Sequence, residues 1–184
     1  MGFHTFDPDG AERLEDVSRF RFCSRDELVG ALDPDPDGVV ADVGSGTGFY
    51  TDELAPFAGT VYAVDVQAAM HEYHRSKGVP SNVSLVAADV ADLPFADGEL
   101  DGAVTTMTFH EFASASTLAE LRRAVSPGGR LVVADWSAAA TGERGPPLDE
   151  RYDGATAASM LADAGFSVER VQSRPDTFFV VATA

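Results

Sequence analysis

The sequence has little positive charge and almost no lysine. Lys77 is the only lysine in 184 residues, and 13 basic residues stand against 30 acidic ones, for a formal net charge of -17. Nucleic-acid binding gains most of its affinity by neutralising phosphates with Lys and Arg, so this balance argues against DNA or RNA as a partner. Cysteine is almost absent too: the lone Cys23 cannot close an internal disulfide. No apolar run approaches the length that crosses a bilayer, which argues against a membrane partner. Residues 1–9 lack the basic start and apolar stretch of a signal peptide, and together these absences place the expected location in the cytoplasm.

What is present is the composition of a globular protein, 45% hydrophobic and 23% charged, at a length that fits one domain with a core of its own. The Asp-rich stretch Asp33-Pro34-Asp35-Pro36-Asp37, set beside the near absence of lysine, matches proteins of salt-loving organisms, whose cytoplasm screens self-repulsion. We therefore expect a halophilic adaptation to solvent rather than a docking face for a basic partner.

Hydrophobic period and punctuation divide the chain into a preface, residues 1–36, and an alternating strand and helix core, residues 37–184. The preface has apolar residues at helical spacing over 11–32, broken at 20–24, where Ser24 is placed to cap a helix starting Arg25-Asp26-Glu27. Strands are expected at 39–43, 60–64, 82–87, 100–106, 130–135, 166–172 and 177–182, and helices at 49–57, 67–77, 114–125 and 154–164. The last two strands are joined only by Ser173-Arg174-Pro175-Asp176, too short for a crossover helix, so they must be antiparallel neighbours. The expected fold is α/β: one domain with a doubly wound, mostly parallel seven-stranded sheet, its last strand antiparallel, and a ligand crevice at the carboxyl ends of the strands.

Asp42-Val43-Gly44-Ser45-Gly46-Thr47-Gly48 falls where the first strand turns into the first core helix, so its glycines can adopt positive φ and let backbone approach a ligand. The dinucleotide fingerprint places Gly or Ala where this chain has Phe49, and no Gly-Lys-Ser or Gly-Lys-Thr follows to make a phosphate loop. The loop is expected to bind a molecule whose reactive part carries no phosphates.

Ala41-Asp42-Val43-Gly44-Ser45-Gly46-Thr47-Gly48 resembles motif I of the class I S-adenosylmethionine-dependent methyltransferases. Val61-Tyr62-Ala63-Val64-Asp65 is similar to that family's second strand, and Ala87-Ala88-Asp89-Val90 with Leu93-Pro94-Phe95 to its adenine-binding segment. Residues 100–106 and 121–131, the latter containing Ser126-Pro127-Gly128-Gly129, resemble its fourth strand and the helix, turn and fifth strand that follow. The likeness spans residues 39–135 and is nearest to small enzymes of the type that methylate ubiquinone and menaquinone precursors, and to compact prokaryotic relatives with Phe-His-Glu after the fourth strand. It implies S-adenosyl-L-methionine as cofactor, a Rossmann-like methyltransferase fold and a small-molecule acceptor. The binding residues implied are Asp42, Gly44, Ser45, Gly46 and Gly48 in the loop, Asp65 and Val66 at the ribose, Asp89 and Val90 at the adenine, and Thr106 at the methionine end. A carboxylate at Asp65 suits two ribose hydroxyls, since it can accept both, and would reject a 2′-phosphate.

Methyl transfer from a sulfonium is an in-line displacement that positioning alone can accelerate; a general base is needed only where the acceptor arrives protonated. The candidate is His110, followed by Glu111, directly after the fourth strand. It titrates near neutral pH, and Glu111 would raise its pKa or fix its tautomer if the two side chains converge. The alternative is that His110 only orders the loop.

His4, Phe6, Tyr50, His71 and His74 are further polar or aromatic candidates, and His71 with His74, three apart on a helix, form a possible metal pair without a third ligand. The preface is expected to fold over the cofactor, bringing His4, Phe22 or Cys23 to the wall. Arg144, in the stiff stretch Glu143-Arg144-Gly145-Pro146-Pro147, either meets an acidic substrate or is a solvated loop charge. Arsenite as acceptor is disfavoured, because the methyltransferases that use it rely on several cysteines. Two other functions stay open: a protein that senses S-adenosylmethionine without turnover, and an NAD-dependent oxidoreductase on a similar sheet.

Overall fold

The computed structural model describes residues 6–184. Seven strands form one sheet: β1 Val39–Val43, β2 Thr60–Asp65, β3 Val83–Ala87, β4 Leu100–Thr106, β5 Val125–Trp136, β6 Ser167–Ser173 and β7 Thr177–Thr183. Their order is β3-β2-β1-β4-β5-β7-β6. The first five pair in parallel, whereas β7 runs antiparallel to β5 on one side and to β6 on the other. The reversed strand is thus wedged into the sheet, and β3 and β6 form the edges.

The helices are α1 Arg25–Leu32, α2 Phe49–Leu54, α3 Ala68–Lys77, α4 Phe109–Phe112, α5 Ala115–Ala124 and α6 Gly154–Asp163. Side chains that alternate along each strand feed two apolar layers. Ala41, Val43, Ala103, Leu131, Val133, Phe178 and Val180 pack with Leu118 and Leu121 of α5 and Leu161 of α6. Val40, Val61, Val104, Val132, Phe179 and Val181 pack on the opposite face with Leu28 and Leu32 of α1 and with Tyr50 and Leu54 of α2. A strand buried on both faces reads as a continuous apolar run, which is why β1 and β7 are legible in the sequence.

Several boundaries move, each for a local reason. The preface is two 3-10 segments, Pro8–Glu15 and Val17–Arg21, before α1; Asp7 and Asp16 accept from the amides of Asp9 and Ser18 and so start a new turn each time. Ser24 caps α1 through the Glu27 amide, as its sequence position suggested. The helix expected over 49–57 is α-helical only to Leu54 and finishes as a 3-10 turn at Ala55–Phe57, where Pro56 has no amide for the ladder. β5 begins at Val125, earlier than expected, because it pairs with Leu100, shifts register, and resumes with Arg130 opposite Gly102. The short helix α4 has no helical run of its own in the sequence; a carboxylate from β5 organises it.

The strand order reverses between β1 and β4, and the chain leaves these two strands in opposite directions. That leaves a crevice at their carboxyl ends, where ligands of doubly wound sheets bind.

Candidate active site

A cavity of about 1200 Å3 opens at this edge of the sheet. The glycine loop supplies one wall. Gly44, Gly46 and Gly48 have φ of 75°, 53° and 82°, and the amides of Gly44 and Ser45 donate to the Val64 carbonyl, tying the loop to the end of β2. The three glycines do different work. A Cβ on Gly44 would lie 2.3 Å from Thr108 and one on Gly48 2.2 Å from the His74 ring, so these two are required by the protein's own packing. Gly46 faces the cavity, where an added Cβ would meet only Leu14, at 3.4 Å. The Ser45 hydroxyl is buried on the same wall and has no hydrogen-bond partner among the described residues.

Asp65 ends β2 at the adjacent wall. Its carboxylate accepts from the amides of Gly46 and Gln67, each at 2.8 Å, one on each oxygen. Both oxygens keep a lone pair for a further donor, so the carboxylate is fixed in place and still able to accept two hydroxyls. Val66, Asp89, Val90 and Thr106 line the same cavity, and Asp89 is held by accepting from the Ala91 amide at 2.8 Å. An adenosine with free 2′ and 3′ hydroxyls and an uncharged base fits this donor and acceptor set.

Asp42 and Gly48, expected at the cofactor, are not among the residues that line the cavity. Asp42 is buried under the loop, where its Oδ2 accepts from Thr51 Oγ1 at 2.6 Å and its Oδ1 has no partner among the described residues. Burial pushes its carboxyl up to about 6, against the opposing effects of the Thr51 hydrogen bond and the Arg19 charge.

His110 stands at the start of α4 and lines the same cavity as Asp65. Asp135, at the end of β5 and fully buried, accepts from the His110 amide at 2.7 Å and lies 2.9 Å from His110 Nδ1. Between a carboxylate and an imidazole nitrogen the proton resides on nitrogen, so Nδ1–H donates and Nε2 is the nitrogen left to act on a ligand. Burial works against the charged ring, but the Asp135 hydrogen bond and charge, with Glu111 and Glu150, outweigh it and raise the His110 pKa. Glu111 approaches Nε2 at 4.0 Å, so the two side chains do converge; burial pushes the Glu111 carboxyl up to about 7.

The remaining wall is aromatic and combines Phe22 and the Gly145-Pro146-Pro147 stretch, both singled out in the sequence, with Trp136, which was not. Trp136 follows Asp135 and packs edge-on against Phe22 of the preface, with ring centroids 4.8 Å apart. Gly145, at φ 80°, lies so close that a Cβ there would come within 2.6 Å of the indole, and Pro146 and Pro147 extend the same wall. Arg151, nearly buried, holds this segment by donating to the carbonyls of Arg144 and Pro146. Asp135 and Trp136 were findable by position, as the last residues of a strand ending on the crevice. Arg13, Leu14 and Arg19 also line the cavity, and nothing in the preface's spacing marks them.

Phe6 and Phe22 reach the cavity, whereas Cys23 is buried beside it, where burial pushes its thiol up to about 12. Tyr50 lines the wall and donates to the carbonyls of Cys23 and Arg19. His71 and His74 are buried, His74 Nε2 lying 2.7 Å from Asp52, and no group of metal-ligating side chains occurs among the described residues. Arg144 is exposed and is not among the residues that line the cavity, although its neighbour Gly145 is. His4 lies outside the described residues.

Fold and site together define a doubly wound α/β protein with a nucleoside-binding crevice that a histidine also lines. The chain belongs to the methyltransferase domain family, whose match covers residues 41–133, and within it to the S-adenosylmethionine-dependent methyltransferases. A SAM-dependent methyltransferase from Aquifex aeolicus superposes with a TM-score of 0.85 at 30% identity, covering 97% of this chain and 98% of that one. The demethylmenaquinone methyltransferase of Corynebacterium kroppenstedtii is 39% identical over 107 residues, 58% of this chain and 45% of that protein. That of Beutenbergia cavernae is 33% identical over 142 residues, 70% of this chain and 58% of that protein. The chain therefore spans about half the length of these two relatives.

Proposed function

We propose that this protein transfers the methyl group of S-adenosylmethionine to a small-molecule acceptor, and that His110 removes the acceptor's proton. The observation that carries this reading is that Gly46, Asp65, Asp89 and His110, drawn from four separate segments, face one cavity. The cofactor supplies an electrophilic methyl carbon on a sulfonium. Asp65 accepts from the ribose hydroxyls, Asp89 and Val90 meet the adenine, and Ser45, Gly46 and Thr106 line the path towards the methionine end. Asp135 holds the His110 ring with Nε2 available, and His110 takes the proton that an acceptor hydroxyl, acidic carbon or ammonium must lose. Phe22, Trp136, Phe112 and the two prolines offer apolar surface that excludes water and suits an acceptor with a ring.

The acceptor is a small metabolite and not a nucleic acid, because the chain's charge of -17 opposes a phosphate backbone. No helix among the described residues is long and apolar enough to cross a membrane, and the acidic, lysine-poor composition suits a salt-rich cytoplasm. Calorimetry with S-adenosylmethionine and with NAD, followed by assay for S-adenosylhomocysteine during incubation with metabolite extracts, tests the function. Binding of S-adenosylmethionine, no binding of NAD, and turnover that stops in His110→Gln is the expected result. Binding without turnover across a broad set of extracts makes the protein a sensor of the cofactor instead.

A further inference from the structure

We propose that Arg19 receives the carboxylate at the methionine end of S-adenosylmethionine. This rests on the cofactor reading and assigns to the preface, which lies outside the segment matched by the family, a direct part in binding.

Arg19 lies in the 3-10 turn Val17–Arg21 and lines the cavity beside Ser45, Gly46, Phe49 and Tyr50. It is held from several sides. The guanidinium carbon sits 4.9 Å from the Phe49 ring centroid and 5.2 Å from that of Tyr50, and Nη1 donates to the Leu14 carbonyl at 2.6 Å. The Tyr50 hydroxyl donates to Arg19's own carbonyl at 3.2 Å, and Phe20 packs on Phe49 at 4.8 Å, which fixes the turn that carries the side chain.

Despite this, no carboxylate among the described residues pairs with it. Five of the 13 basic residues pair with a carboxylate among the described residues, including Lys77 with Glu15 and Asp52, Arg123 with Asp97 and Glu120, and Arg174 with Glu27; of the eight that do not, Arg13 and Arg19 line the cavity, and of these two only Arg19 stacks its guanidinium on aromatic rings of the described residues. A guanidinium has five N–H donors, and among the described residues Arg19 uses one. Burial lowers its pKa, with Asp42 acting in the opposite direction from beneath the loop. A half-buried, aromatic-stacked, preorganised fork with spare donors is the complement of a carboxylate. The cofactor carries one anionic group, and Arg19 stands on the glycine-loop wall; the acceptor's end of the cavity is marked instead by His110, Glu111 and Glu150.

The test compares S-adenosylhomocysteine with its decarboxylated analogue, 5′-deoxy-5′-(3-aminopropylthio)adenosine, by calorimetry on the wild-type chain and on Arg19→Gln and Arg19→Lys. Arg19→Gln should weaken S-adenosylhomocysteine roughly 10- to 100-fold, as expected for a lost charge-assisted pair, and change the analogue's affinity by about 2-fold or less. Arg19→Lys, which keeps the charge and loses the fork, should fall between. Equal weakening of both ligands, or a wild-type chain that binds both equally, overturns the proposal. A folded wild-type chain that binds neither refutes the cofactor reading itself.

Discussion

Asp135 and His110 are joined twice: the same buried carboxylate accepts the backbone amide that starts α4 and faces Nδ1 of the ring, at 2.7 and 2.9 Å. One group therefore sets both where the histidine stands and which nitrogen carries the proton. Because Asp135 is fully buried, its charge acts on the ring with little screening, and the His110 pKa is raised.

The first prediction concerns pH. A base acts only when unprotonated, so methyl transfer should rise with pH through the His110 pKa, at an inflection above the ordinary value of 6.5. Asp135→Asn removes the raising charge; the inflection of kcat should move to lower pH, and kcat at the plateau should fall by about 10- to 1,000-fold as ring orientation is lost. The same shift has a stability consequence of fixed sign. The raised His110 pKa contributes stability that is present below the unfolded-state value and is lost as pH rises through the folded one. A pH series of kcat on both proteins checks this, and an inflection that does not move in Asp135→Asn removes His110 from the base role.

The second prediction concerns Asp65. Asp65→Asn keeps the size of the side chain but replaces one acceptor oxygen with an amide that faces the donors of Gly46 or Gln67. Affinity for S-adenosylhomocysteine should fall by about 1–3 kcal/mol, roughly 5- to 150-fold, since hydroxyls left unpaired in a partly buried site cost about that much. Calorimetry on a variant with an unaltered circular dichroism spectrum measures it. Unchanged affinity would take Asp65 out of the site.

How much of this was written in the sequence depends on the range of the interaction. The strands of the sheet, the glycine loop and Asp65 were legible because each is local: a β-branched apolar run, three glycines within five positions, an acid at a strand's end. The helix over 109–112 was not, because its organising group is Asp135, 25 residues away, and no window of sequence contains both. The preface's side chains at the cavity were hidden for the same reason. Arg19 is placed by contacts with Phe49 and Tyr50, about 30 residues on, and a 3-10 segment lacks the 3.6-residue period that would assign faces. Conversely, the glycine pattern was legible without its causes: Gly48 answers to His74 and Gly44 to Thr108.

A third prediction follows from the cost of burying Asp42. Its carboxyl is raised from an ordinary value of 3.8 to about 6, so the folded state binds the proton more tightly, and stability falls as pH rises between those values. Above pH 6 the penalty is constant, at about 3 kcal/mol from the size of the shift. Asp42→Asn can still accept from Thr51 and carries no charge, so it should raise the melting temperature at pH 7.5, and the gain should shrink as pH falls towards 4. Thermal unfolding at three pH values checks it; a gain that does not depend on pH would mean that charge burial is not the source.

The fourth prediction isolates why Gly48 is glycine. Its φ of 82° is strained for any residue with a Cβ, and that Cβ would meet His74 at 2.2 Å, a ring pinned by Asp52 at 2.7 Å and unable to swing away at no cost. Positive φ alone costs about 1–2 kcal/mol and the overlap a similar amount, so Gly48→Ala should lose roughly 2–4 kcal/mol. For a chain of this length that is a fall of about 4–16 °C in melting temperature. The two contributions separate in a double-mutant cycle. In a His74→Ala background the overlap is gone and only the backbone strain remains, so Gly48→Ala should cost about half as much there. An equal cost in both backgrounds would assign the whole requirement to the backbone and leave the His74 ring without a part in it.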